Sequence, residues 1–288
     1  MALEREYMTI NGYRWAYLHR GSVHKDKPPI FILHGVLSYA DYFAKIADQL
    51  SSDFEVFVPD LPGFGFSQTP STNDLFHVAK ELVSFVKALG FTKAYFYGNS
   101  MGGSLLLALG ILNPEVIIKT YIHSPYWRKD GINYRLLERF EIGLTYLPQV
   151  IIKRLANKTN LRILLKLAEY LRPDMKPLLN YNKDMILECL HNSDLIAMKE
   201  IFYSVDKHDF ENTLKASFPD TILIWGENDR TIPYRETNAL KQLIKKPICV
   251  VVGEDHELVM DSPQKIVEVI KWDIIEKERI ASGDFYWI

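Results

Sequence analysis

The stretch Tyr97-Gly98-Asn99-Ser100-Met101-Gly102-Gly103 decides how this chain is read. It stands between a short apolar run, residues 94–97, and a helix-like segment, residues 101–112. Gly-x-Ser-x-Gly in that context is a nucleophile elbow. The turn is too tight for side chains at Gly98 and Gly102, and it holds Ser100 exposed at its tip. The helix start leaves backbone N–H groups without intrahelical acceptors beside the serine. Such donors favour negative charge. Three fixed positions occur by chance in roughly one chain in ten of this length, so the surrounding pattern must carry the argument.

On both sides of the elbow, short apolar runs alternate with amphipathic segments. The runs are residues 30–33, 54–58, 94–97, 117–122, 221–225 and 248–252. Four to six apolar residues without alternation fit parallel strands covered on both faces. Asn11-Gly12, between 7–10 and 13–19, predicts a tight hairpin because both positions tolerate positive φ. Leu75, Val78, Ala79, Leu82, Val83, Phe85, Val86 and Leu89 form an apolar helical stripe, and Gly90 ends it. Residues 234–244 and 263–277 read as helices of the same kind. Strand alternating with helix predicts an α/β fold, a mostly parallel central sheet with helices on both faces.

The alternation stops between residues 124 and 216. That stretch holds helix-like pieces at 134–147, 161–171, 184–190 and 195–205, punctuated by Pro125, Pro148, Pro173 and Pro177. It reads as a helical insertion over the C-terminal edge of the sheet, where open α/β sheets bind ligands. The expected domains are a core of residues 1–123 and 217–288 and a helical cap of residues 124–216.

Composition narrows the function. The 288 residues are 48% hydrophobic and 24% charged, which excludes wholesale disorder. Thirty-four Lys and Arg against 36 Asp and Glu give a net charge of -2, without the basic footprint of a nucleic-acid binder. Two cysteines, Cys189 and Cys249, exclude a disulfide framework and a Cys-rich zinc site. Cys249, in an apolar run, reads as an inert buried thiol. Residues 1–7 lack a signal-peptide pattern, and no apolar stretch approaches the ~20 residues of a membrane span. The expectation is a cytoplasmic protein without integral membrane association, its oligomeric state open.

A serine hydroxyl needs a base. Among eight histidines, His256 in Val252-Gly253-Glu254-Asp255-His256 follows the last strand on a short loop. His123 ends a strand and is its best rival. His19, His24, His77, His191 and His208 read as solvated. The base in turn needs a carboxylate to fix its tautomer. Asp229, in Trp225-Gly226-Glu227-Asn228-Asp229, is the natural choice, with Glu227 and Asp60 as competitors. Asp60 opens the shaped turn Asp60-Leu61-Pro62-Gly63-Phe64-Gly65-Phe66-Ser67, where turn capping is its other role. Asp255 adjoins the base and is expected to point elsewhere. Leu33-His34-Gly35-Val36 offers the Val36 N–H as an oxyanion donor together with that of Met101. His34 is expected to be structural.

With these pieces in order, the chain resembles the α/β-hydrolase superfamily over nearly its whole length. The matching pieces are His34-Gly35, Asp60 to Ser67, Gly98 to Gly103, Trp225 to Asp229 and Gly253 to His256. The order Ser, Asp, His is that of the superfamily. Gly-Asn-Ser-Met-Gly-Gly is also similar to the elbow of the meta-cleavage-product hydrolases, which break C–C bonds. Two departures stand against that subfamily. Val36-Leu37-Ser38-Tyr39 replaces a Gly-rich loop, and Glu257 stands where an aromatic follows the histidine. A serine rather than an aspartate nucleophile argues against epoxide hydrolase and dehalogenase chemistry.

The resemblance implies ester hydrolysis by Ser100, His256 and Asp229, with Val36 and Met101 as oxyanion donors and neither metal nor organic cofactor. Leu37, Tyr39, Tyr126 and Trp127, with Tyr42 and Phe43 nearby, are the expected lining of an apolar pocket for a small to medium acyl ester or related carbonyl compound. The alternatives are C–C hydrolysis of dienoic acids and a non-catalytic ligand sensor on the same fold. The rate is expected to fall as His256 protonates, near an ordinary histidine pKa of about 6.5.

Overall fold

The computed structural model describes residues 3–19, 26–131, 183–275 and 285–287, with helical positions 159, 160, 162, 163 and 166 between. One nine-stranded sheet organises them. Its strands are β1 (Glu4–Ile10), β2 (Tyr13–His19), β3 (Pro29–Leu33), β4 (Glu55–Pro59), β5 (Ala94–Asn99), β6 (Ile117–His123), β7 (Thr221–Gly226), β8 (Ile248–Val251) and β9 (Phe285–Trp287). Their spatial order is β1-β2-β4-β3-β5-β6-β7-β8-β9. Strands β1 and β2 form the expected hairpin, with Ile10 opposite Tyr13 across the turn. Asn11 and Gly12 both have positive φ there. Strand β2 meets β4 antiparallel, and every pair from β4 to β9 is parallel.

The inner strands β3, β4, β7 and β8 are buried at every position, as parallel strands covered on both faces must be. Helices α1 (Ala44–Leu50), α2 (Leu75–Ala88) and α3 (Met101–Leu112) follow β3, β4 and β5. The apolar stripe of α2 is buried from Leu75 to Val86. Asp74 caps its start by accepting from Phe76 N at 2.9 Å and His77 N at 3.3 Å. Gly90, at φ 89°, ends the helical course beyond Leu89. Helix α3 is buried over ten of its twelve residues, so it shows an apolar surface all round rather than a stripe.

Between β6 and β7 the described chain is helical: α4 (Lys183–Asn192), α5 (Leu195–Ser204) and the short α6 (Phe210–Thr213). The helices expected at 134–147 and 161–171 lie largely outside the described residues. Asp194 caps α5 and its backbone N–H donates to the Gly63 carbonyl at 2.9 Å. That bond ties the start of α5 to the loop after β4. Helices α7 (Arg235–Ile244), α8 (Leu258–Asp261) and α9 (Pro263–Ile274) complete the described structure.

Three details depart from the sequence reading. Strand β9 was not anticipated; it pairs Phe285 with Ile248 and extends the sheet edge. Strand β8 stops at Val251, and Val252 is exposed. His19, expected in water, is 1% exposed and lies between Glu6, at 3.1 Å from Nδ1, and Glu55. Both carboxylates come from neighbouring strands, and no local pattern announces them.

Candidate active site

The elbow is built by close backbone approach. A Cβ at Gly98 would lie 2.5 Å from the Gly102 carbonyl oxygen, and one at Gly102 would lie 2.4 Å from that of Leu33. Neither neighbour can yield, because both are backbone. Ser100 itself sits at φ 52°, ψ −115°, a region that L-residues seldom occupy. Such conformations cost about 1–3 kcal/mol and persist only where surrounding structure enforces them. Here the Ser100 N–H donates to the His123 carbonyl at 2.8 Å, locking the turn to the end of β6.

The loop after β3 lies alongside. A Cβ at Gly35 would come within 3.2 Å of Ser100 Cβ. His34 is fully buried; its Nδ1 donates to the Gly35 carbonyl at 2.8 Å, so Nε2 is free to accept the Leu61 N–H at 2.9 Å. Both ring nitrogens are thus committed, and burial lowers the pKa to about 4. The ring fixes the shape of the loop. Leu37 follows at φ 57°. Among the described residues no backbone acceptor takes the Val36 N–H, and the Met101 N–H opens α3, where helices have no internal acceptor.

Across the strand ends, His256 Nδ1 meets Asp229 Oδ2 at 2.8 Å. The other oxygen of Asp229 accepts the N–H groups of Thr231 and Ile232, each at 2.9 Å. The loop carrying His256 packs onto the end of β7, where a Cβ at Gly226 would lie 2.4 Å from the Asp255 carbonyl. Burial opposes charge on His256, but the Asp229 charge and hydrogen bond outweigh it, with Glu257 and Asp255 adding to them. The imidazole is raised to about 9. This corrects the expectation of an ordinary value near 6.5. Asp229 is likewise opposed by burial, and His256 and the backbone donors hold it below its usual range.

The rival groups have other partners. His123 is fully buried, with Nδ1 at 2.8 Å from the Tyr97 hydroxyl and 3.0 Å from Asn99 Nδ2; burial takes its pKa down to about 3. Its ring centroid lies 6.5 Å from that of His256, so the Ser100 turn and the imidazole flank the same strand end. Asp60 accepts from Arg5 and the Ala40 N–H, both at 2.7 Å, and from the Phe66 N–H at 2.9 Å. Burial raises it to about 6. Glu227 accepts the Gly253 N–H at 2.9 Å. Asp255 accepts the Glu257 N–H at 2.8 Å. Among the described residues no hydrogen bond joins Ser100 Oγ to His256; contacts of this kind often tighten only with substrate bound.

Tyr39 is 6% exposed, and Tyr126 and Trp127 are buried. Tyr126 stacks on Phe202 at 4.9 Å and donates to Asp206, while Trp127 carries Arg128 over its ring at 4.8 Å. Arg128 also binds Glu236 and Glu211, joining the segment after β6 to α7 and α6. No local pattern announces this anchor, because both glutamates lie more than 80 positions from Arg128. Among the described residues there is no metal-holding group of His, Cys, Asp and Glu, and no helix long and apolar enough to cross a membrane.

Comparison with known proteins agrees with this architecture. A hydrolase of Bacillus subtilis, YugF, is 24% identical over 274 residues, covering 90% of this chain and 93% of its own. A 2-hydroxymuconate semialdehyde hydrolase of Pseudomonas putida is 24% identical over 241 residues, 79% of each chain. The crystal structure of the esterase RhEst1 from a Rhodococcus species superposes with a TM-score of 0.73 at 16% identity, covering 95% of this chain and 98% of that one. The family model for the alpha/beta hydrolase fold matches residues 28–263. With that match spanning most of its length, the chain belongs to the alpha/beta hydrolase fold family.

Proposed function

We propose that this chain is a serine hydrolase that cleaves small to medium acyl esters through an acyl-enzyme on Ser100. The observation that carries the reading is the His256–Asp229 hydrogen bond of 2.8 Å at the strand ends that also carry the elbow serine. In the proposed cycle, Ser100 Oγ attacks the ester carbonyl while His256 Nε2 takes its proton. Asp229 holds Nδ1–H and stabilises the imidazolium. The Val36 and Met101 N–H groups receive the oxyanion, each worth about 2.7–4 kcal/mol in the transition state. His256 then protonates the leaving alcohol, and water activated by the same ring releases the acid.

Residues 1–123 and 217–288 would form the core and residues 124–216 the cap that selects substrate. Leu37 and Tyr39 follow the Val36 donor and would touch the acyl chain, with Tyr126 and Trp127 as the wall behind. His123 Nε2 and Trp127 Nε1 are buried without protein partners among the described residues. They would supply donors to a polar ligand, since buried polar groups seek partners. The B. subtilis and Rhodococcus proteins, a hydrolase and an esterase by name, support the same reaction class. The P. putida relative keeps C–C hydrolysis of dienoic acids as the second reading.

The test is labelling of the intact chain with a fluorophosphonate probe, mapped by peptide mass spectrometry, followed by a panel of p-nitrophenyl esters and a coloured dienoate. Label on the Ser100 peptide with ester turnover supports the proposal. An unlabelled Ser100 and no turnover would refute it, and dienoate turnover alone would favour the second reading.

A further inference from the structure

Glu257 is a charged residue immediately after the candidate base, and the proposed cycle does not use it. Its backbone is fixed: the carbonyl accepts from Met260 N at 2.7 Å and Asp261 N at 3.1 Å, starting α8. Its side chain does not cap that helix. Helix α8 packs against the 3-10 turn Ala40–Phe43 that carries Tyr42. Glu257 therefore lies where the His256 loop runs into the helix packed on the Tyr42 turn, and its charge acts on both Tyr42 and His256. It is half-enclosed rather than free on the surface. Among the described residues it makes no hydrogen bond and no ion pair. Among the described residues the charged groups around it are His256, Asp229, Asp255 and Asp261, with Tyr42 nearby, so His256 is the one described neighbour of opposite charge. Burial and the three nearby carboxylates push its own pKa up, and His256 pulls it down.

We infer that Glu257 sets the charge of the ligand: an unpaired carboxylate beside the His256–Asp229 pair favours uncharged and cationic esters over those carrying a carboxylate. This rests on the serine hydrolase reading and adds the substrate class. The physical reason is direct. A second carboxylate brought into a partly enclosed site that already holds Glu257 and Asp229 meets like charge at short range. An ammonium group gains an attraction to Glu257 that no Lys or Arg among the described residues takes up. At the effective dielectric of a partly buried site, one unit charge several ångströms away shifts binding by about tenfold or more. The same charge adds to that of Asp229 in raising His256. A dienoate anion, the substrate class of the second reading, is disfavoured by the same term.

The intact chain and its Glu257→Gln and Glu257→Asp variants are assayed with acetylthiocholine, its neutral isostere 3,3-dimethylbutyl thioacetate, p-nitrophenyl butyrate and mono-p-nitrophenyl succinate. The expected wild-type order in kcat/KM is cationic over neutral isostere and butyrate over succinate, each by about tenfold, shrinking as salt is added. E257Q should collapse both ratios, E257D should keep them, and the acid limb of the E257Q rate profile should move to lower pH. Ratios that E257Q leaves unchanged overturn the inference. So does a wild type that hydrolyses all four esters without regard to charge or salt, which stands even if the variants do not fold. A wild type that turns over no ester and takes no label at Ser100 fails the hydrolase reading itself, a different result.

Discussion

Exchanging Asp229 for Asn tests the His256–Asp229 pair without changing its shape. Oδ1 accepts two backbone N–H groups at 2.9 Å, and Oδ2 faces His256 Nδ1 at 2.8 Å. In Asp229→Asn the two backbone donors demand the amide oxygen on their side, so the NH2 must face the imidazole. Two donors cannot share a hydrogen bond, and the ring adopts the tautomer with Nδ1 accepting and Nε2 protonated. That nitrogen can no longer take a proton from Ser100. The equivalent exchange in another serine hydrolase lowers kcat about 10⁴-fold, or about 5.5 kcal/mol at 1.36 kcal/mol per decade. The pH profile supplies a second reading. Turnover needs neutral imidazole, and with its pKa raised to about 9 the wild-type rate climbs as pH rises toward that value. Removing the Asp229 charge takes away the largest cause that raises the pKa and leaves burial opposed only by Glu257 and Asp255, so the residual activity of the variant should reach its plateau at lower pH. The assay is kcat/KM for p-nitrophenyl acetate across about pH 5 to 10, with thermal unfolding as the control for fold. Activity within about tenfold of wild type, or an unmoved acid limb, would sink the assignment of Asp229.

Ser100→Ala should abolish turnover by several orders of magnitude while keeping the fold, measured by burst kinetics and circular dichroism. Ser100→Gly should be as inactive but more stable than Ser100→Ala by about 1 kcal/mol in urea denaturation, because glycine accepts the φ of 52° without strain. Asp60→Asn should cost about 3 kcal/mol or more of stability, since it breaks a buried pair with Arg5, yet leave turnover per folded molecule within about tenfold. Glu227→Gln should leave both stability and turnover near wild type, and a loss of turnover in either variant matching Asp229→Asn would reassign the acid. Gly102→Ala should destabilise the fold by about 3 kcal/mol, seen as a lower urea midpoint, because its Cβ meets the Leu33 carbonyl at 2.4 Å; a wild-type midpoint would show that the elbow is looser than its geometry.

Much of this molecule is written in short-range pattern. Unbroken apolar runs announce the parallel strands, the Asn11-Gly12 pair the hairpin, and Gly98-x-Ser100-x-Gly102 the elbow, because each depends on φ, ψ and period over a few residues. The sequence by itself also put His256 and Asp229 at strand ends. It favoured Asp229 over Glu227 and Asp60 by position along the chain alone, since contact with the imidazole depends on which strands lie side by side. Tertiary structure alone decided that Asp60 belongs to Arg5 and the backbone of Ala40 and Phe66, and that His19 is buried between two glutamates. It also decided that His256 titrates well above an ordinary histidine. Charge and burial are properties of enclosure: the groups that surround an ionisable side chain arrive from distant parts of the chain, and only folding brings them within range.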